Sequence, residues 1–199
     1  MLEQLRTLMP AHTIVTAKRE SYLEQVRRQI RFRLFALKLA EEGKELIRPL
    51  LPHDLGRTSW AIRNIESGVM TAWIDFRTRP NQVIALYGLT QVSSTPAIDR
   101  IRISRRPSYI YDLDLNFLYG ILPIITKLKQ IESEYPGWVE SYYGGLEYLK
   151  MEGFLAEPML IDPENYCQIE VMADRHIVGP KKELVINGYV AEPCGETLA

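Results

Sequence analysis

The segment Tyr166-Cys167-Gln168-Ile169-Glu170-Val171-Met172-Ala173 decides the fold class, because its smaller apolar side chains occupy every second position. Successive side chains of a β-strand point to opposite faces of the sheet. The alternation therefore predicts a strand whose inner face covers a hydrophobic core. On that inner face we place Cys167, Ile169, Val171 and Ala173.

The same period of two recurs from about residue 58 onward, in segments that turn-forming residues separate. Two such separators are Thr78-Arg79-Pro80-Asn81 and Ser93-Ser94-Thr95-Pro96. Short strands at this spacing indicate an antiparallel sandwich or barrel. The other predicted strands are Val69–Phe76, Gln82–Leu89, one through Ile101 and Ile103, Tyr109–Phe117, and a closing strand from Leu184 to Val190.

The N-terminal part of the chain has a helical period instead. Ser21-Tyr22-Leu23-Glu24 fits a capping box, in which Ser and Glu side chains accept bonds from the free N–H groups of a first helical turn. Pro49 and Pro52 cannot continue a helix, so we predict a helix of about 20–28 residues before them. Its apolar stripe, at spacings of four and three, consists of Tyr22, Val26, Ile30, Leu34 and Leu37.

The apolar stripe needs a partner, and the sequence leaves three. It can pack on the β domain of its own chain, on a neighbouring subunit, or on a membrane surface. We expect no membrane binding, because Glu20, Glu24 and Glu41 interrupt the basic face of the helix. Our working hypothesis is docking in trans, with this stripe as the interface to a neighbouring subunit or another shell protein.

Residues 121–152 interrupt the strands, and Ile124, Leu128 and Ile131 recur there at helical spacing. We predict a helical insertion in this region. The expected fold class is thus α+β, an N-terminal amphipathic helix followed by an antiparallel β-sandwich with a helical insertion. We divide the chain into a helical arm, residues 1–57, and a β domain, residues 58–199.

The charges are unevenly spread along the chain, although the net charge is only -1. Residues 1–111 carry 18 Lys and Arg against 10 Asp and Glu, whereas residues 112–199 carry 6 against 15. The two halves can neutralise each other within one fold, or they can dock basic end to acidic end between subunits. Our hypothesis uses the second arrangement, with the acidic half facing the basic half of a partner.

Catalytic chemistry has few candidates in this sequence. Asp112 and Asp114 share one strand face and could hold a hard cation or act as an acid/base pair, which makes a metal-dependent enzyme one alternative. We favour the simpler interpretation, in which they lie on the solvated face of a half-buried strand. Cys167 and Cys194 could form one disulfide, but we expect two buried free thiols, with Cys167 packed inward. No phosphate-binding loop or nucleophile motif occurs, so we expect no enzyme and no cofactor.

Two further sets of residues could bind ligands. Arginine beside tyrosine can bind nucleic acid, but the pI of about 6.3 is lower than dedicated binders have, so we do not expect it. That set comprises Arg100, Arg102, Arg105, Arg106, Tyr109 and Tyr111. The other set could stack on sugars, and a carbohydrate-binding sandwich is therefore the alternative function. Its residues are Trp138, Tyr142 and Tyr143.

One internal repeat is visible in the last third of the chain. Gly153–Pro158 and Gly188–Pro193 share the form Gly-aromatic-aliphatic-Ala-Glu-Pro. Two copies are too few for a solenoid. We interpret them as two strands in equivalent places, each ended by a proline that cannot donate to a central ladder.

Three stretches carry a resemblance to known proteins. Glu183–Pro193 looks like the closing strand of jelly-roll modules, and Gln82–Leu89 followed by Pro96–Ile103 looks similar. Together, over residues 69–193, they resemble accessory structural proteins of tailed-bacteriophage virions, the cement, decoration and fibre-attachment classes. The resemblance implies a jelly roll that binds identical neighbours or a shell lattice.

These observations together predict a non-enzymatic structural or assembly protein, a component of a virion or shell that binds neighbouring subunits. The residues before Pro10 lack the apolar region of a signal peptide. The longest apolar runs are far shorter than the ~20 residues that a membrane span needs. We accordingly expect the protein in the virion or the host cytoplasm.

Overall fold

A computed structural model describes residues 12–92, 97–105, 109–115, 150–180 and 184–194. Eight strands contain nearly half of these residues, and one long helix precedes them. The elements are α1 (His12–Ala36), β1 (Glu45–Pro49), a 3-10 helix (Pro52–Leu55), β2 (Thr71–Arg77), β3 (Val83–Val92), β4 (Ile98–Arg105), β5 (Tyr109–Asp114), β6 (Lys150–Ile161), β7 (Tyr166–Ala173) and β8 (Leu184–Pro193).

The strands form two four-stranded sheets in which neighbouring strands are antiparallel. Sheet 1 has the order β1-β8-β3-β6, and sheet 2 has the order β2-β7-β4-β5. The predicted combination of a helix with antiparallel sheets is therefore confirmed. The predicted inner face of β7 is confirmed as well, because its four members are buried: Cys167, Ile169, Val171 and Ala173.

The main core is a single hydrophobic cluster to which both sheets contribute. Sheet 1 supplies side chains such as Ile84 and Leu86 of β3, and sheet 2 supplies Ile101 and Ile103 of β4. The alternation in β4 sends Arg100 and Arg102 to the opposite, outer face of sheet 2. Burial of the alternating apolar residues is what orders these strands.

The helix α1 has the predicted length but not the predicted start. It contains 25 residues and begins at His12, so Ser21-Tyr22-Leu23-Glu24 lies inside it. A backbone N–H inside a helix already bonds to the carbonyl four residues earlier, so no free N–H groups remain there for a capping box. At the other end the helix stops at Ala36, and Leu37 lies just beyond it.

Strand β1 corrects the predicted domain boundary between residues 57 and 58. Residues 45–49 were assigned to the helical arm, yet they pair with β8, and Ile47 lies opposite Ala191. The first strand and the 3-10 helix therefore belong with the sheets. Five residues are too few for a period of two to stand out from a helical pattern.

The central part of β3 explains the repeated Gly-aromatic-aliphatic-Ala-Glu-Pro segments. They lie on β6 and β8, the two strands that flank β3 in sheet 1. A Cβ atom at Gly88 of β3 would clash with the carbonyl oxygen of Gly153 on β6. A Cβ atom at Gly188 on β8 would lie 2.7 Å from the carbonyl oxygen of Ala85. Glycine here permits a close approach of backbones where the register of β3 shifts, between Leu86 and Gly88.

The predicted helical insertion at 121–152 lies outside the described residues, apart from its last three. Residues 150–152 are part of β6. The insertion itself stays a prediction.

Candidate functional site

The outer face of sheet 1 is apolar, and α1 covers it. A second hydrophobic cluster, separate from the main core, joins helix and sheet. The helix contributes Leu23, Val26, Ile30 and Leu34, and the sheet contributes Val83, Ala85, Tyr189 and Ala191. We call this cluster the helix-covered face. Full burial of one such aliphatic side chain is worth about 1.5–3 kcal/mol, so the stripe accounts for a large share of the docking free energy.

Aromatic rings close the helix-covered face near the middle of α1. Tyr22 meets Phe154 edge to face, at 5.5 Å between ring centroids, and Tyr87 stacks on Phe154 at 6.2 Å. The Tyr22 hydroxyl donates to the carbonyl oxygen of Leu155 at 2.7 Å. Arg27 lies 5.0 Å from the ring centroid of Tyr189, within the range of a cation–π contact. These directional contacts set the position of the helix along the sheet.

An ion pair fixes the C-terminal part of α1 to the end of β6. Arg33 Nε and Nη2 donate to the two carboxylate oxygens of Asp162 at 2.7 and 2.6 Å. The hydrogen bonds from Arg33 hold the pKa of Asp162 below its ordinary value, although partial burial opposes them. Arg31 also pairs with Glu45 at the start of β1, at 2.9 Å. A bidentate pair adds geometric specificity as well as energy.

The connection from α1 to β1, residues 37–44, begins with a tight turn. The N–H of Leu39 donates to the carbonyl of Leu34, and the N–H of Lys38 donates to that of Phe35. This is a Schellman motif, and its left-handed position is taken by Lys38, with φ of 58°. Glycine is the usual residue there, because any Cβ is strained at positive φ. Lys38 thus introduces strain into the connection.

A groove of about 510 Å³ lies beside this connection. Its apolar wall includes Phe35, Leu39 and Pro193, and its rim includes Lys38, Lys44 and Cys194. The groove is open to solvent, and the described residues do not place a convergent set of polar groups in it.

The predicted interface residues lie in cis in this structure. Val26, Ile30 and Leu34 are fully buried against the sheet of their own chain, and Tyr22 and Leu37 pack partly buried beside them. A single chain therefore leaves the stripe no surface to offer a neighbour. Of the three partners that the sequence leaves open, the structure shows the β domain of the same chain. The stripe packs there because the outer face of sheet 1 is itself apolar.

The outer face of sheet 2 carries the candidate metal ligands, and they are engaged otherwise. Arg100 donates to both oxygens of Asp112, at 2.6 and 3.0 Å, and Arg102 reaches the same carboxylate at 3.2 Å. The hydrogen bond from Arg100 is the main reason why the pKa of Asp112 lies below its ordinary value. Asp114 stands exposed at the end of β5. Within the described ranges, no three His, Cys, Asp or Glu side chains are grouped to hold a metal ion.

A buried ion pair lies at the end of sheet 1, and the sequence pattern does not predict it. Asp54 of the 3-10 helix has no exposed side-chain surface, and Arg48 of β1 bonds to both its oxygens at 2.7 Å. Burial alone would raise the pKa of Asp54, but the bonds from Arg48 and the Leu51 N–H outweigh it and lower the pKa. Arg48 also bonds to Glu192 on β8. The pair joins β1, the 3-10 helix and β8, elements that only the fold brings together.

The basic and acidic halves of the chain meet within one fold. Ion pairs between the halves join Arg33 to Asp162, Arg48 to Glu192, Arg77 to Glu164, Arg100 to Asp112, and Arg102 to Asp112 and Glu170. The reading in which the halves neutralise each other is confirmed for these residues. The charges that they use are correspondingly less available for docking between subunits.

Both cysteines are free thiols, as expected. Cys167 is buried on the inner face of β7, and burial raises its pKa to about 12, so it is not a reactive thiolate. Cys194 is exposed directly after β8, so the predicted burial of this second thiol is wrong.

Other predicted binding residues lie beyond the described part of the chain. Trp138, Tyr142 and Tyr143, the candidate sugar platform, fall in the undescribed residues 116–149, and Arg106 is likewise undescribed. Arg105 is placed, and its Nη1 donates to the carbonyl of Leu160 at 2.6 Å. Among the described helices, none is both long and apolar enough to cross a membrane.

Comparisons with known proteins add no relative. No family model, no curated protein and no solved structure matches the chain.

Proposed function

We propose that the two sheets form an eight-stranded jelly roll, and that the chain is a structural assembly protein of a virion or comparable shell. The observation that carries the proposal is the strand order. If eight strands are folded as one long hairpin, β1 pairs with β8, β2 with β7, β3 with β6 and β4 with β5. All four pairs are present, and they alternate between sheet 1 and sheet 2.

Wrapping the hairpin accounts for the remaining pairs. When the folded ribbon is rolled up, its β1·β8 and β3·β6 pairs come side by side, which requires a β8·β3 contact. The β2·β7 and β4·β5 pairs likewise require a β7·β4 contact. Both are observed. This rolled ribbon is the arrangement of jelly rolls, which occur in viral capsid proteins, lectins and cupins.

The assembly role within this group of proteins is supported by two features. The resemblance of residues 69–193 to virion accessory proteins points to shell components. The metal-dependent alternative is less well supported, because Arg100 and Arg102 already pair with the carboxylate of Asp112. The sugar-binding alternative stays a prediction on Trp138, Tyr142 and Tyr143.

Light scattering after size exclusion tests the proposal on the full chain. A defined oligomer that persists on dilution, or regular particles in electron micrographs, is the expected result. A chain that remains monomeric at every concentration, and that forms no particles, would contradict it. A glycan array run on the same sample tests the alternative, since sugar binding by a monomer favours a lectin role.

A further inference from the structure

We propose that α1 exchanges between copies, so that the helix of one chain covers the outer face of sheet 1 of a second copy. The inference rests on the proposed assembly function and names its partner, a second copy of this chain. The contacts would be those of the helix-covered face, now made between chains. Exchange of an identical element between protomers needs no new surface to evolve.

The first ground is that α1 is a separable layer. Among the described residues, the main core takes none from α1, and its first member in the chain is Leu50. Of the α1 side chains that the structure describes, the buried apolar ones belong to the second cluster. Undocking the helix therefore leaves the packing between the sheets in place. A layer with its own cluster can open without global unfolding.

The second ground is that the outer face of sheet 1, once uncovered, needs an apolar partner that matches it. Without α1 it would present Val83, Ala85, Tyr87, Phe154, Leu160, Tyr189 and Ala191 to water. An apolar patch of this kind is not left exposed in a soluble protein. The segment that fits this face is α1, which covers it in the structure. A second copy supplies an identical helix at the concentration of the protein itself.

The third ground is strain in the connection that would have to open. Lys38 holds a left-handed conformation with φ of 58°, at a position that glycine usually takes. Backbone strain of this kind recurs at switch regions. A connection that straightens to reach a second copy releases Lys38 to ordinary φ values, whereas the closed connection keeps the strain. The remaining hinge contains Gly43, also at positive φ.

The pair between Arg33 and Asp162 provides the test, because it lies on the rim of the helix-covered face. Arg33 is 41% exposed and Asp162 25% exposed, so reversing either charge does not disturb the apolar cluster. One variant is Arg33→Asp and the other is Asp162→Arg, each in the full chain. Each variant alone brings like charges together at this contact, whether the helix docks in cis or between identical copies.

A mixture of the two variants separates exchange from every other mode of assembly. In an exchanged heterodimer both contacts are opposite in charge: the new aspartate at position 33 meets the new arginine at position 162, and the native pair forms at the other contact. Chains that associate through a different surface keep both repulsive contacts in cis. The double variant Arg33→Asp/Asp162→Arg in one chain restores the contact in either mode and controls for general effects.

Native mass spectrometry of the refolded one-to-one mixture gives the result. Exchange predicts that the ratio of heterodimers to homodimers rises about tenfold above its statistical value, the factor that roughly 1.4 kcal/mol of selectivity would give. A statistical mixture of oligomers would overturn the exchange and leave the proposed assembly function standing. A wild-type chain that is monomeric throughout would overturn both.

Discussion

The outer faces of the two sheets differ in almost every respect. On sheet 1, Val83 and Ala85 are fully buried under α1. On sheet 2, Arg100, Arg102 and Asp112 form an ion-paired array that remains partly open to solvent. Apolar burial gives the first face most of its energy, whereas exposed ion pairs contribute little. One fold thus has one face that must be covered and one that need not be.

The largest expected difference comes from placing a charge on each face. Ala85→Asp puts a carboxylate beneath α1, where neither water nor a cation can reach it. We expect a loss of about 3 kcal/mol in the free energy of unfolding, or undocking of the helix, measured by urea denaturation and by binding of a hydrophobic dye. The matched variant Ser104→Asp on the outer face of sheet 2 should change stability by no more than about 0.5 kcal/mol. Equal losses from the two variants would show that the faces do not differ as described.

The two sides of α1 repeat the contrast on a smaller scale. Ile30 is fully buried, whereas Phe32 is 76% exposed on the opposite side of the helix. Ile30→Ala leaves a cavity and should cost about 2–5 kcal/mol. Phe32→Ala should stay within about 0.5 kcal/mol. Urea midpoints of both variants check this, and a Phe32→Ala loss as large as that of Ile30→Ala would mean that the helix rests on its other side.

The sequence predicts only part of the difference between the outer faces of the two sheets. β7 and β4 alternate, as strands with one open face do, and the predicted inner face of β7 is confirmed. The continuous apolar run Val83–Leu86 of β3 carried a different signal, because strands covered on both faces lose the alternation. That run indicates a second layer over sheet 1. Read in this way, it points to the outer face of sheet 1 as the surface on which the apolar stripe docks.

Other features had no signal along the chain. Arg48 and Asp54 are close in sequence, but the burial of their ion pair depends on β8 and the 3-10 helix, which the fold brings together around it. In β2 a register shift between Ala72 and Ile74 leaves both Trp73 and Ile74 buried. A bulge of this kind breaks the period of two without any marker residue. Pairings between distant strands decided both outcomes, and local patterns do not encode them.

Acid should weaken the rim of the helix-covered face. The pKa of Asp162 is lowered in the folded chain, so its stabilising effect is complete above the unfolded value of about 3.9 and is lost as the pH falls through the folded value. At neutral pH, Asp162→Asn should cost at most about 1 kcal/mol, because Arg33 is partly exposed. Unfolding curves of wild type and variant should converge once the pH falls below the lowered pKa of Asp162. A difference that persists at low pH would locate the effect elsewhere than in the ion pair.

The smallest expected effect concerns the connection between the helix and the sheet it covers, at residues 37–44. Lys38→Gly removes a strained Cβ at positive φ but also adds freedom to the unfolded chain, so we expect a net gain of about 0.5 kcal/mol. Gly43→Ala is the matched opposite. An added Cβ there meets no atom within 4 Å, so its backbone φ of 79° alone should make it destabilising, by about 1 kcal/mol. Amide hydrogen exchange in α1 tests whether this backbone strain affects the docking of the helix. Slower amide exchange in Lys38→Gly and faster amide exchange in Gly43→Ala would show that it does. If amide hydrogen exchange is unchanged in both variants, the strain at Lys38 is not transmitted to the helix-covered face. The third ground for the exchange of α1 between copies would then fail.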